Sequence, residues 1–271
     1  MISTFESPNS LGNTEPHTIF HISNLASATI RFIKENFRKN NHALIKKVDS
    51  WVCFTTTKDV EELCLDFESG GVYSMHETLC SISTVTKMNL IRVEFHHFGR
   101  GLGIHLTSLK VLSLGRILRL EGDMIRSILL GIPLECLTLR ECVFQSNSAT
   151  SNFVIDTSCT SLKQLVIDTA MTSRGNALIE TNGPNLLSLT AIGYMNRTCL
   201  KLFDVSSLME ANSDFLTLHR KKASVSFANS KRILKCLLPK LCHVNKLTVG
   251  IRFLQVWLSL VVCANTKGED K

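Results

Sequence analysis

The feature that most constrains this chain is a six-residue phrase, LxxLxL, that keeps returning along it. Its plainest copy is Leu109–Leu114 (LKVLSL), followed by Leu134–Leu139 (LECLTL), Leu162–Ile167 (LKQLVI) and Leu186–Ala191 (LLSLTA). An earlier copy is Val60–Leu65 (VEELCL) and a later one Val244–Val249 (VNKLTV). Weaker copies read at Leu90–Phe95 (LIRVEF) and Leu208–Ser213 (LMEANS). Aligned on the middle apolar position, the series is Leu63, Val93, Leu112, Leu137, Leu165, Leu189, Ala211, Leu247, with steps of 30, 19, 25, 28, 24, 22 and 36 residues.

A strand accounts for the phrase. Side chains alternate between faces, so the fourth and sixth positions point the same way, and so short a strand cannot bury that face alone. Stacked beside the strands of neighbouring repeats, it lines one continuous core. The spacing lies around the ~20–29 residues of leucine-rich repeats. The expected fold is therefore α/β, an irregular leucine-rich-repeat solenoid: a curved parallel sheet with helical or irregular return segments. SLK leads into two strands, and Pro133 or Pro184 leads into two others. Gly122–Leu130 (GDMIRSILL) fits a return helix, with Met124, Ile125, Ile128 and Leu129 on one stripe and Gly131 and Pro133 ending it.

Elsewhere the pattern divides the chain into a loose tail over residues 1–25, a solenoid over 26–262 and a charged tail over 263–271. The stretch from Ser27 to Asn40 is expected to be a helix, with Ile30, Ile33 and Phe37 on one face. Ala43–Val48 is expected to be a short strand, and Asp49-Ser50 to cap a helical turn through Trp51 and Phe54. Met75–Ser83 is a return element, Gln145–Ser151 an exposed bend, and Asn182–Asn185 a turn. Ser230–Leu241 is an amphipathic helix with Ile233, Leu234, Leu237 and Leu238 inward.

Composition limits the functions open to such a chain. Its 271 residues carry a formal charge of +7, spread rather than gathered in one block. The densest basic run, His219–Lys222 with Lys231, Arg232 and Lys235, has only Phe227 among it, and nucleic acid is not expected as a partner. The 10 cysteines form no C-x₂-C pair, and those inside the phrases, such as Cys64 and Cys136, behave as small hydrophobes, which suits a reducing compartment. The Asn196-Arg197-Thr198 sequon follows no secretory signal and is read as unused. The run Phe253–Cys263 is too short to span a bilayer. The protein is expected inside the cell, cytoplasmic or nuclear, with no membrane partner. The three histidines of residues 96–105 sit among glycines with no acidic neighbour, so no metal is expected there. No nucleophile elbow, phosphate loop or zinc-protease motif occurs, so no enzyme activity and no cofactor are expected.

Several stretches together resemble the leucine-rich-repeat region of the large plant F-box/LRR (F-box/FBD/LRR-like) family. They are Val48–Phe67 (VDSWVCFTTTKDVEELCLDF), Leu106–Leu114 (LTSLKVLSL), Ile128–Cys142 (ILLGIPLECLTLREC), Gly183–Leu189, Val205–Phe215 and Val244–Val249. The resemblance covers roughly residues 26–260. It implies a non-catalytic module that binds a protein, in a family whose F-box docks on a Skp-type adaptor of a cullin-type ubiquitin ligase. Residues 1–25 show no F-box-like stretch, so docking of this chain on such an adaptor is not expected. The candidate binding face consists of outward positions of the phrases: Lys110, Ser113, Glu135, Thr138, Lys163 and Val166. The alternative is a truncated or vestigial scaffold with no ligase role.

Overall fold

The structure, a computed structural model, describes residues 3–4, 18–24, 27–32, 42–57, 59–67, 73–74, 82–94, 106–145, 152–158, 160–169, 177–194, 198–216, 234, 237–251, 254 and 258. Its body is one sheet of 11 strands. In spatial order these are β1 (Ser3–Thr4), β2 (Thr18–Asn24), β3 (Ser27–Phe32), β4 (Glu62–Asp66), β6 (Lys87–Ile91), β8 (Val111–Gly115), β10 (Cys136–Arg140), β13 (Gln164–Thr169), β15 (Ser188–Tyr194), β17 (Glu210–Leu216) and β18 (Lys246–Val249). β1, β2 and β3 pair antiparallel; from β3 onward every pairing is parallel. The chain is a solenoid of mostly parallel strands with few helices.

The phrases fall into register. Leu63, Met88, Leu112, Leu137, Leu165, Leu189, Ala211 and Leu247 stand opposite one another across the sheet. Seven match the alignment made from the sequence; Val93 does not. The strand lies earlier, and its phrase is Val85–Leu90 (VTKMNL), with Val85, Met88 and Leu90 all buried. Methionine fills the middle position as well as leucine does, being apolar and adaptable. The steps then become 25, 24, 25, 28, 24, 22 and 36 residues, more even than expected. Val93 is also buried, at a site three residues past the last inward position that Ile117 and Cys142 occupy in the next two repeats.

Before four of the eight phrases the chain makes the same turn. The amides of Leu109, Leu186, Leu208 and Val244 donate to the carbonyls of Leu106, Gly183, Val205 and Leu241, three residues back. Just ahead of the strands, one carbonyl receives two amides of the next repeat: Lys110 accepts from Glu135 and Cys136, Glu135 from Lys163 and Gln164, Lys163 from Leu187 and Ser188. At the far end of the strands Arg92, Arg116 and Glu141 adopt left-handed φ values of 56, 52 and 52°, and Gly193 takes 110° at the matching position. A left-handed non-glycine residue costs about 1–2 kcal/mol. It recurs here because the amides of Arg92, Arg116 and Glu141 thereby reach the carbonyls of Gly115, Arg140 and Asp168 in the next repeat.

The return layer is mostly extended rather than helical. β12 (Asn152–Asp156), β14 (Ala177–Asn182) and β16 (Thr198–Leu202) form a second parallel sheet, while β5 (Tyr73–Ser74) pairs with β7 (Val93–Glu94), and β9 (Leu120–Glu121) with β11 (Phe144–Gln145). Phe153 and Ile155, Ile179 and Thr181, and Leu200 and Leu202 are buried at alternate positions, the period of a strand. α2 (Gly122–Gly131) is the helical return anticipated from the sequence, with Met124, Ile125, Ile128 and Leu129 inward. The apolar side chains among these join the inward positions of the main sheet in one core.

Two elements near the start differ from expectation. Residues 27–32 form β3, not a helix, with Ala28 fully buried opposite Leu63. The expected stripe of Ile30, Ile33 and Phe37 rests mostly on residues 33–40, which lie outside the described residues; over 27–32 the sequence also alternates as a strand does, and the edge of β4 offers a ladder to join. α1 (His42–Thr56) runs through both the expected strand and its cap. Val48, Val52 and Thr55 are buried on one face, and Ser50 Oγ donates to the Lys46 carbonyl one turn back instead of capping. Leu234 and Leu237 are buried as anticipated, with helical backbone over 237–241. The histidines of 96–105 and the basic run 219–222 lie outside the described residues.

Candidate protein-binding face

The face of the main sheet turned away from the core is a set of columns, one per outward position of the phrase. The fifth position gives Cys64, Asn89, Ser113, Thr138, Val166, Thr190, Asn212 and Thr248, neighbours in register across eight strands. Three of the candidates from sequence, Ser113, Thr138 and Val166, are adjacent members of this column and half-buried. The column is short-chained and uncharged. Flanking it, the third position runs Glu62, Lys87, Val111, Cys136, Gln164, Ser188, Glu210 and Lys246. Its charged members pair at the two ends, Lys87 with Glu62 at 2.6 Å and Lys246 with Glu210 at 3.6 Å. Four uncharged side chains lie between.

The other three candidates, Lys110, Glu135 and Lys163, occupy the second position of three successive phrases and meet as a ladder. Glu135 Oε2 lies 2.8 Å from Lys163 Nζ and its Oε1 3.8 Å from Lys110 Nζ. The hydrogen bond from Lys163, with both lysine charges, holds the Glu135 carboxyl below its usual range. Glu62 likewise raises the Lys87 ammonium. These pairs are exposed and screened, and each contributes little to stability. What they fix is the side-chain pattern that a partner would meet.

On the left-handed corner, Arg116 Nε stands 2.6 Å from Glu141 Oε2, joining two equivalent positions of neighbouring repeats. Sequence periodicity gave no sign of that pair, because its residues fall outside the phrase. Also unmarked in the sequence were Leu187 and Met209, apolar residues 40% and 51% exposed at the second position. A helical wheel or strand template asks where apolar residues are inward, not where they are left outside.

Cys142 and Tyr73 pack into the core. Cys142 is buried and its Sγ donates to the carbonyls of Leu114, at 3.3 Å, and Arg140; burial pushes the thiol up to about 12. Cys136 is also raised by burial. Cys136, Cys142 and Cys242 are in no disulfide. Tyr73 stacks on Phe67 with ring centroids 4.9 Å apart and donates its hydroxyl to Asp49 Oδ1 of α1. Burial first, then that bond, drives its phenol far above the usual value. Among the described residues no group of three or more His, Cys, Asp or Glu is placed to hold a metal, and no helix is long and apolar enough to cross a membrane.

Comparison with curated proteins gives one relative to set beside this geometry. The chain is 30% identical over 211 residues to an Arabidopsis thaliana protein described as "Putative F-box protein". That likeness supports a plant F-box-like family. The aligned part is 77% of this chain and 50% of the relative, so the chain spans about half of that protein's length. No family model matches the sequence, and no solved structure matches it.

Proposed function

We propose that this chain is a non-catalytic, leucine-rich-repeat module that recognises a protein target, resembling the substrate-binding part of an F-box subunit of a cullin-type ubiquitin ligase. One observation carries the reading: eight in-register strands leave a continuous outward face that the core does not use. Its fifth-position column, around Ser113, Thr138 and Val166, is uncharged, with the third-position charges paired at the two ends and the Lys110–Glu135–Lys163 ladder along one margin. A poorly charged centre within a polar rim is the usual anatomy of a protein interface. The likeness to a plant F-box-like protein supports the ligase context.

The decisive experiment places a long cation in the middle column. Thr138→Arg, outward and half-buried, should weaken binding of a captured and then purified target by about tenfold or more, with the melting temperature unchanged. Undiminished affinity would remove the face from the account. A second reading, a scaffold with no ligase role, draws on the far end of the sheet. There Leu247 is 41% exposed where its register mates are nearly fully buried. Aggregation of the purified chain would favour that reading; cooperative monomeric unfolding would favour the module.

A further inference from the structure

We infer that the row Lys110, Glu135, Lys163, Leu187 and Met209 is a docking strip for an acidic peptide segment carrying an apolar side chain. The inference rests on the protein-binding reading above and gives that partner a chemistry. All five residues occupy the second position of successive phrases. The paired amide-to-carbonyl bonds that link Lys110 to Glu135, Glu135 to Lys163, Lys163 to Leu187 and Leu187 to Met209 hold the row at the sheet's own spacing. One strand step is about 4.8 Å, so the row runs about 19 Å.

The two halves of the row are incomplete in complementary ways. In the charged half, the single carboxylate of Glu135 is shared by two ammonium groups, with Lys110 and Lys163 side chains 62% and 56% exposed. One positive charge is left over. In the apolar half, Leu187 and Met209 are exposed side by side, whereas the earlier repeats place Glu61 and Thr86 at this position. Beside Met209 stands Glu210, already paired with Lys246 at 3.6 Å, so the unbalanced positive charge lies at the Lys110–Lys163 end and an incoming carboxylate is drawn there. The strip therefore has a direction. An apolar side chain covers Leu187 and Met209, and a carboxylate reaches Lys163 or Lys110. Those lie about 5 and 14 Å away from Leu187, which an extended peptide spans in roughly two to four residues.

The test uses the full chain and a short labelled peptide with a leucine followed by glutamates at roughly two and four residues' distance. It is compared with the same peptide bearing glutamine in place of glutamate. The acidic peptide should bind about tenfold tighter, and the difference should vanish in the Lys110→Gln/Lys163→Gln variant. The Leu187→Ser/Met209→Ser variant should weaken the acidic peptide by about tenfold. Both pairs are on the surface, and an unchanged melting temperature checks that each variant folds. Equal binding of the glutamine peptide, affinities indifferent to the lysine pair, or tighter binding of an oligothymidylate than of the peptide would each overturn the inference. A purified protein target that is weakened by Thr138→Arg yet unaffected by all four strip substitutions would overturn the strip alone. A target indifferent to Thr138→Arg as well would overturn the reading beneath it.

Discussion

Cys142 is a thiol that packs as a core side chain and also closes two carbonyls, those of Leu114 and Arg140. Its folded value, about 12, lies above the ordinary 9.0, so the sign of its pH effect is fixed. The native state keeps the proton while the unfolded state loses it. The contribution is full below about pH 9 and is lost as pH rises toward 12, at up to about 1.4 kcal/mol per pH unit. Chemical denaturation at pH 8 and at pH 10 should therefore show a steeper alkaline loss for the native chain than for Cys142→Ala; equal losses would mean that the thiol is not buried. Tyr73 supplies the second residue-scale prediction. Its hydroxyl ties β5 to α1 through Asp49, and Tyr73→Phe should cost about 1 kcal/mol with little change in fold, read by urea unfolding. Neither role was legible in the sequence. A cysteine or tyrosine reads as a generic apolar residue until its partners, distant along the chain, are known.

At the scale of elements, the fourth position of the phrase is where packing is decided. Leu137 is fully buried in a central strand, and Leu137→Ala should cost about 2–5 kcal/mol, the loss of its transfer free energy and the cavity left behind. Leu247, in register with it but in the edge strand and 41% exposed, should cost under about 1 kcal/mol on the same substitution. Comparable losses at the two sites would contradict the edge placement of β18. The phrase strands and α2 were readable because two or three apolar side chains at fixed offsets suffice to specify them. Where two periods fitted equally, the sequence could not choose. Ile30 belongs both to the helical stripe with Ile33 and Phe37 and to the strand alternation of Ala28, Ile30 and Phe32, and the edge of β4 pairs residues 27–31 as a strand. In α1 the stripe Val48, Val52, Thr55 carries straight through Asp49 and Ser50, whose cap-forming chemistry is overridden by a back-bond to Lys46. Met88 was passed over for Val93 because a template built on leucine and valine undervalues methionine.

Over the whole molecule, the repeat spacing conveyed the architecture, since only a stack of short parallel strands gives every phrase a place for its inward face. It did not convey the return layer. A helix and a strand can each carry the chain back across a solenoid, and local alternation such as Phe153 with Ile155 chose strands for most of it. The outward face was legible as a list of positions, yet not as a surface. Lys110, Glu135 and Lys163 became a shared ion-pair ladder, and Ser113, Thr138 and Val166 an uncharged column, only when register set them side by side. The claim that this face meets a protein is tested most directly by a photo-crosslinking amino acid placed at Ser113, Thr138 or Val166. Controls go at Arg126 of α2 and Val154 of β12, both exposed on the return side. The account predicts the same discrete cross-linked protein from all three face positions and none from the controls; a cross-link from the return side alone, or equally from both sides, would contradict it.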